Sequence, residues 1–108
     1  MKLTLALIAT VATLSFAGHA VAGAAEDIIA KEKCSKCHTA TTTKKGPSWA
    51  SVAEKYKDKP EMPAKLVNML KTGVPLSGKT GEDDQHKKLD GVSDADLKAI
   101  VGIVLSTK

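Results

Sequence analysis

Apolar residues recur along this chain at helical spacing, and no segment alternates with the period of two that a half-buried strand requires. The last run is the clearest. Leu97, Ile100, Val101, Val104 and Leu105 form one stripe, Ser93 stands ready to cap it, and Asp96 occupies the capping-box position. Upstream, Met62, Leu66, Met69 and Leu70 predict a helix from about Glu61 to Lys71, with Gly73 as its stop. A shorter helix carries Trp49, Val52, Ala53 and Tyr56. The turn Gly46-Pro47 precedes it, Ser48 caps it, and Asp58-Lys59-Pro60 ends it. Glu26 to Lys36 predicts the first helix, with acids near its start and Ile28 and Ile29 on its apolar side. Thr39 to Lys45 is polar and β-branched, a loop. Val74 to Gly91 is a long loop containing Pro75 and the run Glu82-Asp83-Asp84, and in so small a domain such a loop is functional or disordered. The expected class is all-α, about four helices in one domain.

The first residues form a separate unit. Met1-Lys2 is a short positive start, Leu3 to Phe16 is apolar apart from Thr and Ser, and Ala20-Val21-Ala22 offers small residues for cleavage. Residues 1–22 read as an export signal cut after Ala22. The run is too short and too rich in small residues for a span, and no later stretch is apolar enough to cross a bilayer. The remaining 86 residues, 23–108, are near the lower limit for a self-sufficient core and hold only two aromatics, Trp49 and Tyr56.

All 16 basic residues are lysines. Lys2 leaves with the signal, so 15 lysines face 12 acids, a net charge of +3. That balance is too mild for a nucleic-acid binder, and no arginine or aromatic-studded basic stripe is present. The lysines matter by their position instead. Lys31, Lys33, Lys36, Lys44 and Lys45 flank the two cysteines, and Lys79, Lys87 and Lys88 lie in the later loop. Singly they are ordinary solvated lysines. As a set they can steer an acidic partner.

Those two cysteines carry the chemistry. Cys34-Ser35-Lys36-Cys37-His38 is the Cys-x-x-Cys-His signature of a c-type haem. Two thiols at this spacing form thioethers to the two vinyl groups of one porphyrin, and the adjacent histidine is held under the iron. Closed zinc coordination needs four Cys or His ligands, and only Cys34, Cys37, His38 and the distant His86 are at hand. A thioredoxin-like motif needs a βαβ setting that the sequence lacks. A disulfide would close over only two residues. A buried porphyrin supplies the apolar bulk that the chain lacks. Export agrees with this reading, since bacterial haem attachment takes place outside the cytoplasmic membrane.

Nearly the whole of 23–108 resembles a small bacterial monohaem class I cytochrome c. The likeness rests on a first helix running into Cys34-Ser35-Lys36-Cys37-His38, on Gly46-Pro47-Ser48-Trp49 soon after, and on Val92-Ser93-Asp94-Ala95-Asp96-Leu97 opening a terminal helix. The resemblance implies one haem c per chain, thioethers at Cys34 and Cys37, and His38 as proximal ligand. It also implies a hydrogen bond from His38 to the Pro47 carbonyl, Trp49 against the haem edge, and a crossing of the first and last helices. Two features depart from the family. The terminal helix carries Gly102-Ile103 where an aromatic residue is usual. The family's distal methionine is missing too, since no methionine follows Met69, and His86 lies close to where it should be.

The sixth ligand is therefore expected to be His86, a strong ligand six residues before Val92. Met62, beside Pro63, is the runner-up. Met69, a deprotonated Lys79, Lys87 or Lys88, and an open site are further alternatives. The expected function is single-electron transfer in the periplasm, without enzymatic activity, by a monomer free of stable membrane insertion and of nucleic acid. Its partners would be redox proteins such as other cytochromes, an oxidase or a reductase, with acidic docking surfaces. The alternative is a gas-binding or sensing protein for diatomic ligands, which needs an open or labile distal position. A dedicated subunit of a larger oxidoreductase would need an apolar docking patch that this lysine-rich chain does not advertise.

Overall fold

The computed structural model describes residues 19–78, 81 and 85–108. Four α-helices follow in order: α1 (His19–Lys31), α2 (Trp49–Tyr56), α3 (Met62–Thr72) and α4 (Asp94–Leu105). A single 3₁₀ turn, Cys34–Lys36, lies between α1 and α2. Among the described residues there is no strand, only an isolated bridge between His38 and Thr43. The all-α class is as expected. Lys79 and Glu82-Asp83-Asp84 lie outside the described residues, as do residues 1–18 of the expected export segment.

Local chemistry sets most helix ends. The Ser48 hydroxyl accepts from the Ser51 amide at 3.2 Å and starts α2. The Ser93 hydroxyl accepts from the Asp96 amide and donates to the Asp96 carboxylate at 2.9 Å, so both capping partners engage. Gly73 ends α3 in the left-handed conformation, φ 77°, which glycine adopts without steric cost. The first helix differs from expectation at both ends. Within the described residues it already runs from His19, because the alanine-rich stretch before Glu26 forms helix readily. It stops at Lys31 rather than Lys36, because Lys33 turns left-handed at φ 57° and the chain tightens into the 3₁₀ turn.

α1, α2 and α3 all pack against α4. Where α1 crosses α4, Ala25 is fully buried and lets the helices approach closely beside Leu97 and Ile100. Ile28, Ile29 and Ile103 pack around this contact. Aliphatic side chains thus fill the crossing where an aromatic is usual, and Gly102 faces outward. A second cluster joins α3 to α4 through Met62, Leu66 and Val101, with Tyr56 and Leu105 beside it. Leu97 is the only large side chain among the described residues to be completely buried. A core this thin leaves much of the fold's apolar surface for the site to organise.

Two substitutions on α4 test this packing. Leu97→Ala truncates the one large side chain that is fully buried among the described residues and should cost about 2–5 kcal/mol in denaturant unfolding. Gly102→Ala adds a methyl group that meets nothing within 4 Å. It should raise stability by about 0.5–1 kcal/mol by removing glycine from a helix interior.

Candidate functional site

The turn that follows α1 brings one cysteine and the histidine of the motif onto one wall. The amides of Cys37 and His38 both donate to the Cys34 carbonyl, at 3.2 and 3.0 Å, so the chain reverses within five residues. Cys34 and His38 line the same cleft, and Cys37 is half-buried in the same turn. Cys34 and Cys37 are not joined to each other by a disulfide. Burial pushes the Cys34 thiol above its usual value, and the nearby Lys87 ammonium opposes that shift.

The segment after the motif fixes the imidazole. Gly46 donates from its amide to the Cys37 carbonyl at 2.9 Å, and the amides of Trp49 and Ala50 donate to the carbonyls of Thr39 and Ala40. The first turn of α2 is thereby docked on the loop, with two of its orphan donors satisfied. This holds the Pro47 carbonyl 2.7 Å from Nδ1 of His38. A carbonyl only accepts, so Nδ1 carries the proton and Nε2 is left with its lone pair. The His38 ring lies directly over Gly46. A Cβ there would stand 2.7 Å from Nδ1 and 2.8 Å from Nε2, closer than side-chain carbons approach. Trp49 also lines the cleft, its ring centre 6.4 Å from that of His38.

The rest of the lining is apolar. Val52 comes from α2, Leu66, Met69 and Leu70 from α3, and Ile100, Val101 and Val104 from α4. Leu76 completes it at the mouth, 41% exposed. The cleft holds about 780 Å³ of space counted out into the solvent at its opening.

His86 enters from the long loop. Its amide donates to the Gly73 carbonyl at 2.9 Å, and three residues on the Leu89 amide donates to Leu70 at 2.8 Å. Leu89 itself is buried in the α1/α4 cluster, so the segment is pinned along the end of α3. Nδ1 of His86 lies 2.9 Å from the Lys87 carbonyl. The same reasoning puts the proton on Nδ1 and the lone pair on Nε2. The rings of His38 and His86 are 6.1 Å apart between centres, with 29° between their planes.

The other ligand candidates are placed differently. Met62 is buried against Leu66 and Val101 and does not line the cleft. Met69 does line it. The Lys87 ammonium is held by Glu32 at 2.9 Å, and Lys88 pairs with Asp90 at 3.2 Å. Sequence reasoning read Gly46 as a turn and Gly73 as a helix stop, and missed that each backs a histidine. No periodicity signals such a role, since it depends on contacts between distant segments.

An all-α fold with an apolar cleft, a Cys-x-x-Cys-His turn and a proline carbonyl gripping the histidine defines a class of haem protein. The sequence profile of the family described as cytochrome c matches residues 22–108. Cytochrome c2 of Rubrivivax gelatinosus is 32% identical over 82 residues, covering 75% of this chain and 94% of that protein. The solved structure of the class 1 cytochrome MtoD from Sideroxydans lithotrophicus ES-1 is similar, with a TM-score of 0.66 and 32% identity. The match covers 79% of this chain and 94% of MtoD. Wild-type cytochrome c552 of Nitrosomonas europaea gives a TM-score of 0.60 at 32% identity, covering 77% of this chain and 99% of that one. The chain belongs to the cytochrome c family as a small class I monohaem member, and its cofactor is one covalently bound haem c.

The residues present fit that group. A metal–imidazole bond is about 2.0 Å, so two imidazoles that shared one iron would have their ring centres roughly 6 Å apart. The rings of His38 and His86, with centres 6.1 Å apart, could both reach one iron in the cleft. The apolar walls suit a porphyrin, and the Cys34 thiol is on the cleft.

The two glycines can be tested directly. Gly73→Ala forces a side chain into a left-handed position, at about 1–2 kcal/mol, and sets its Cβ 2.9 Å from the His86 carbonyl oxygen. Unfolding measurements should show that loss, with a ferric spectrum altered on the His86 side. Gly46→Ala should displace the His38 ring and lower the yield of correctly ligated holoprotein, read from its absorption spectrum.

Proposed function

We propose that this protein is a periplasmic carrier of single electrons in which His38 and His86 hold the haem iron from opposite sides. The observation that carries this reading is the pair of imidazoles 6.1 Å apart, each with Nδ1 against a main-chain carbonyl. Both present Nε2 in its lone-pair form, and the carbonyl bonds fix the ring orientations and raise ligand basicity. The bound haem supplies the ferric–ferrous couple. The chain's own residues do the rest. Cys34 and Cys37 provide the thioether links, Pro47 orients His38, and Trp49 packs at the haem edge with its indole N–H available to a propionate. The rigid seats of both histidines keep the ligand set unchanged between oxidation states, which suits a carrier rather than an enzyme.

Three further observations support the reading. The His86 segment is tied to Gly73, Leu70 and Glu32, whereas a gas-binding site needs a position that ligands can claim. Lys33, Lys36, Lys44 and Lys45 are exposed around the attachment turn, giving a positive rim for brief contacts with acidic redox partners. The chain starts with an export-type segment, residues 1–22, and among the described residues no helix is long and apolar enough to cross a membrane.

Ligand identity is tested by near-infrared magnetic circular dichroism of the ferric protein, which separates His/His from His/Met coordination. His86→Met should raise the reduction potential, because imidazole favours the ferric state more than a thioether does. His86→Ala should shift ferric iron towards high spin and admit carbon monoxide readily in the ferrous form. Met69→Ala should keep the parent spectrum. Loss of low-spin ligation in Met69→Ala, with its survival in His86→Ala, would move the assignment to Met69.

The lysine rim has its own test. Electron transfer to an acidic partner should slow as salt rises, with screening over about 10 Å at 0.1 M. Charge reversal at Lys36 and Lys45 should slow it in the same direction. A rate independent of ionic strength counts against charge steering.

A further inference from the structure

Lys87 makes a connection that the ligand assignment does not require. Its ammonium donates to the main-chain carbonyl of Glu32 at 2.8 Å and lies 2.9 Å from the Glu32 carboxylate. The two residues are 55 positions apart. Glu32 is a special place to hold. Its amide makes the closing α-type bond of α1, to Ile28, and the next residue turns left-handed. The Glu32 carbonyl is therefore an orphan acceptor at the negative end of the helix dipole, where a cation is favoured. Cys34 follows two residues later. The Glu32 side chain is only 23% exposed, so the pair is better shielded than an ordinary surface ion pair.

The other end of the connection is equally placed. Lys87 directly follows His86, and its own carbonyl is the acceptor for Nδ1 of His86. One residue thus orients the His86 ring through its main chain and anchors the loop to α1 through its side chain. Lys88, next along, pairs among the described residues with Asp90 in its own loop. Two lysines with the same charge and nearly the same position therefore differ, among the described residues, in the link across to α1.

We propose that Lys87 is a positioning residue for the sixth ligand, latching the His86 loop to the end of α1 and setting how readily His86 leaves the iron. The proposal rests on the His38/His86 reading above. The latch joins the segment that carries the proximal attachment to the segment that carries the distal ligand. Movement of His86 away from the cleft has to break a charge-assisted hydrogen bond and an ion pair together. The latch makes no contact with substrate or partner. Its effect is on ligand release, not on electron transfer through the bound state.

The test uses the holoprotein and the rate at which its ferrous form binds carbon monoxide, a reaction that must wait for His86 to depart. Lys87→Met keeps the aliphatic stem and removes the charge. It should bind carbon monoxide about tenfold faster, the factor that follows from losing one charge-assisted anchor. Glu32→Gln should show a smaller rise, because the carbonyl contact survives. The double variant should be no faster than Lys87→Met alone. Lys87→Arg should return close to the parent rate, and Lys88→Met, with the same loss of charge, should match the parent. A purely structural role would lower the unfolding midpoint without this pattern of rates. Parent-like binding in Lys87→Met and Glu32→Gln, or an equal rise in Lys88→Met, overturns the latch. His86→Ala separates the two levels. If it binds fast while Lys87→Met does not, the latch fails and the ligand assignment stands. If it binds at the parent rate, the assignment fails and the latch falls with it.

Discussion

One helix has to serve two surfaces at once, and the rest of the structure depends on that constraint. The apolar stripe of α4 faces both the α1 crossing and the cleft. Leu97 belongs wholly to the crossing, Val104 lines the cleft, and Ile100 belongs to both. A chain with two aromatics in residues 23–108 has little other bulk to place between its helices. A porphyrin against α4 is thus part of the packing as well as the redox centre. This is why a domain with so few buried side chains can hold two histidines in register: the wall that supports the cofactor also joins α1 to the remainder of the chain.

Backbone geometry does the finer positioning. Each histidine has a glycine behind it and a carbonyl at Nδ1, but the arrangements differ. Gly46 lies under the ring of His38, so a missing side chain makes room for the imidazole itself. Gly73 lies against the His86 main chain and offers its carbonyl to the His86 amide, so there the glycine makes room for the backbone. The Pro47 carbonyl comes from a segment docked on α2, whereas the Lys87 carbonyl belongs to the same loop as its histidine. The proximal side is consequently fixed by helix packing, and the distal side by contacts between a loop and helix ends.

That difference explains which parts could be read from the sequence. α4, with Ser93 and Asp96 at its start, was legible because capping and periodicity agree there. Ser48 was legible for the same reason. The attachment turn was recognised by its motif, but the end of α1 was not, because a lysine at position 33 gives no sign of a left-handed residue. His86 was singled out only by asking what could stand in for the missing methionine. Its supports were invisible, since Gly73 reads as an ordinary helix stop and Lys87 as an ordinary loop lysine. Contacts between Lys87 and Glu32 have no signature in local patterning, whatever their strength.

Under the proposed His38/His86 ligation, the ligand pair and the lysines pull the haem's electron affinity in opposite directions. A second imidazole donates more than a thioether and favours ferric iron. Positive charges near the cofactor favour the ferrous state, which carries one charge less. The two influences are not of equal weight. The rim lysines are exposed and screened by water and salt, and Lys87 and Lys88 are partly neutralised by Glu32 and Asp90. The imidazole of His86 would act through a direct bond against the apolar lining of the cleft, where screening is weaker. Ligand identity therefore sets the potential and the lysines adjust it slightly. Their main effect falls on how partners approach, so the two properties of the carrier are governed by separate residues.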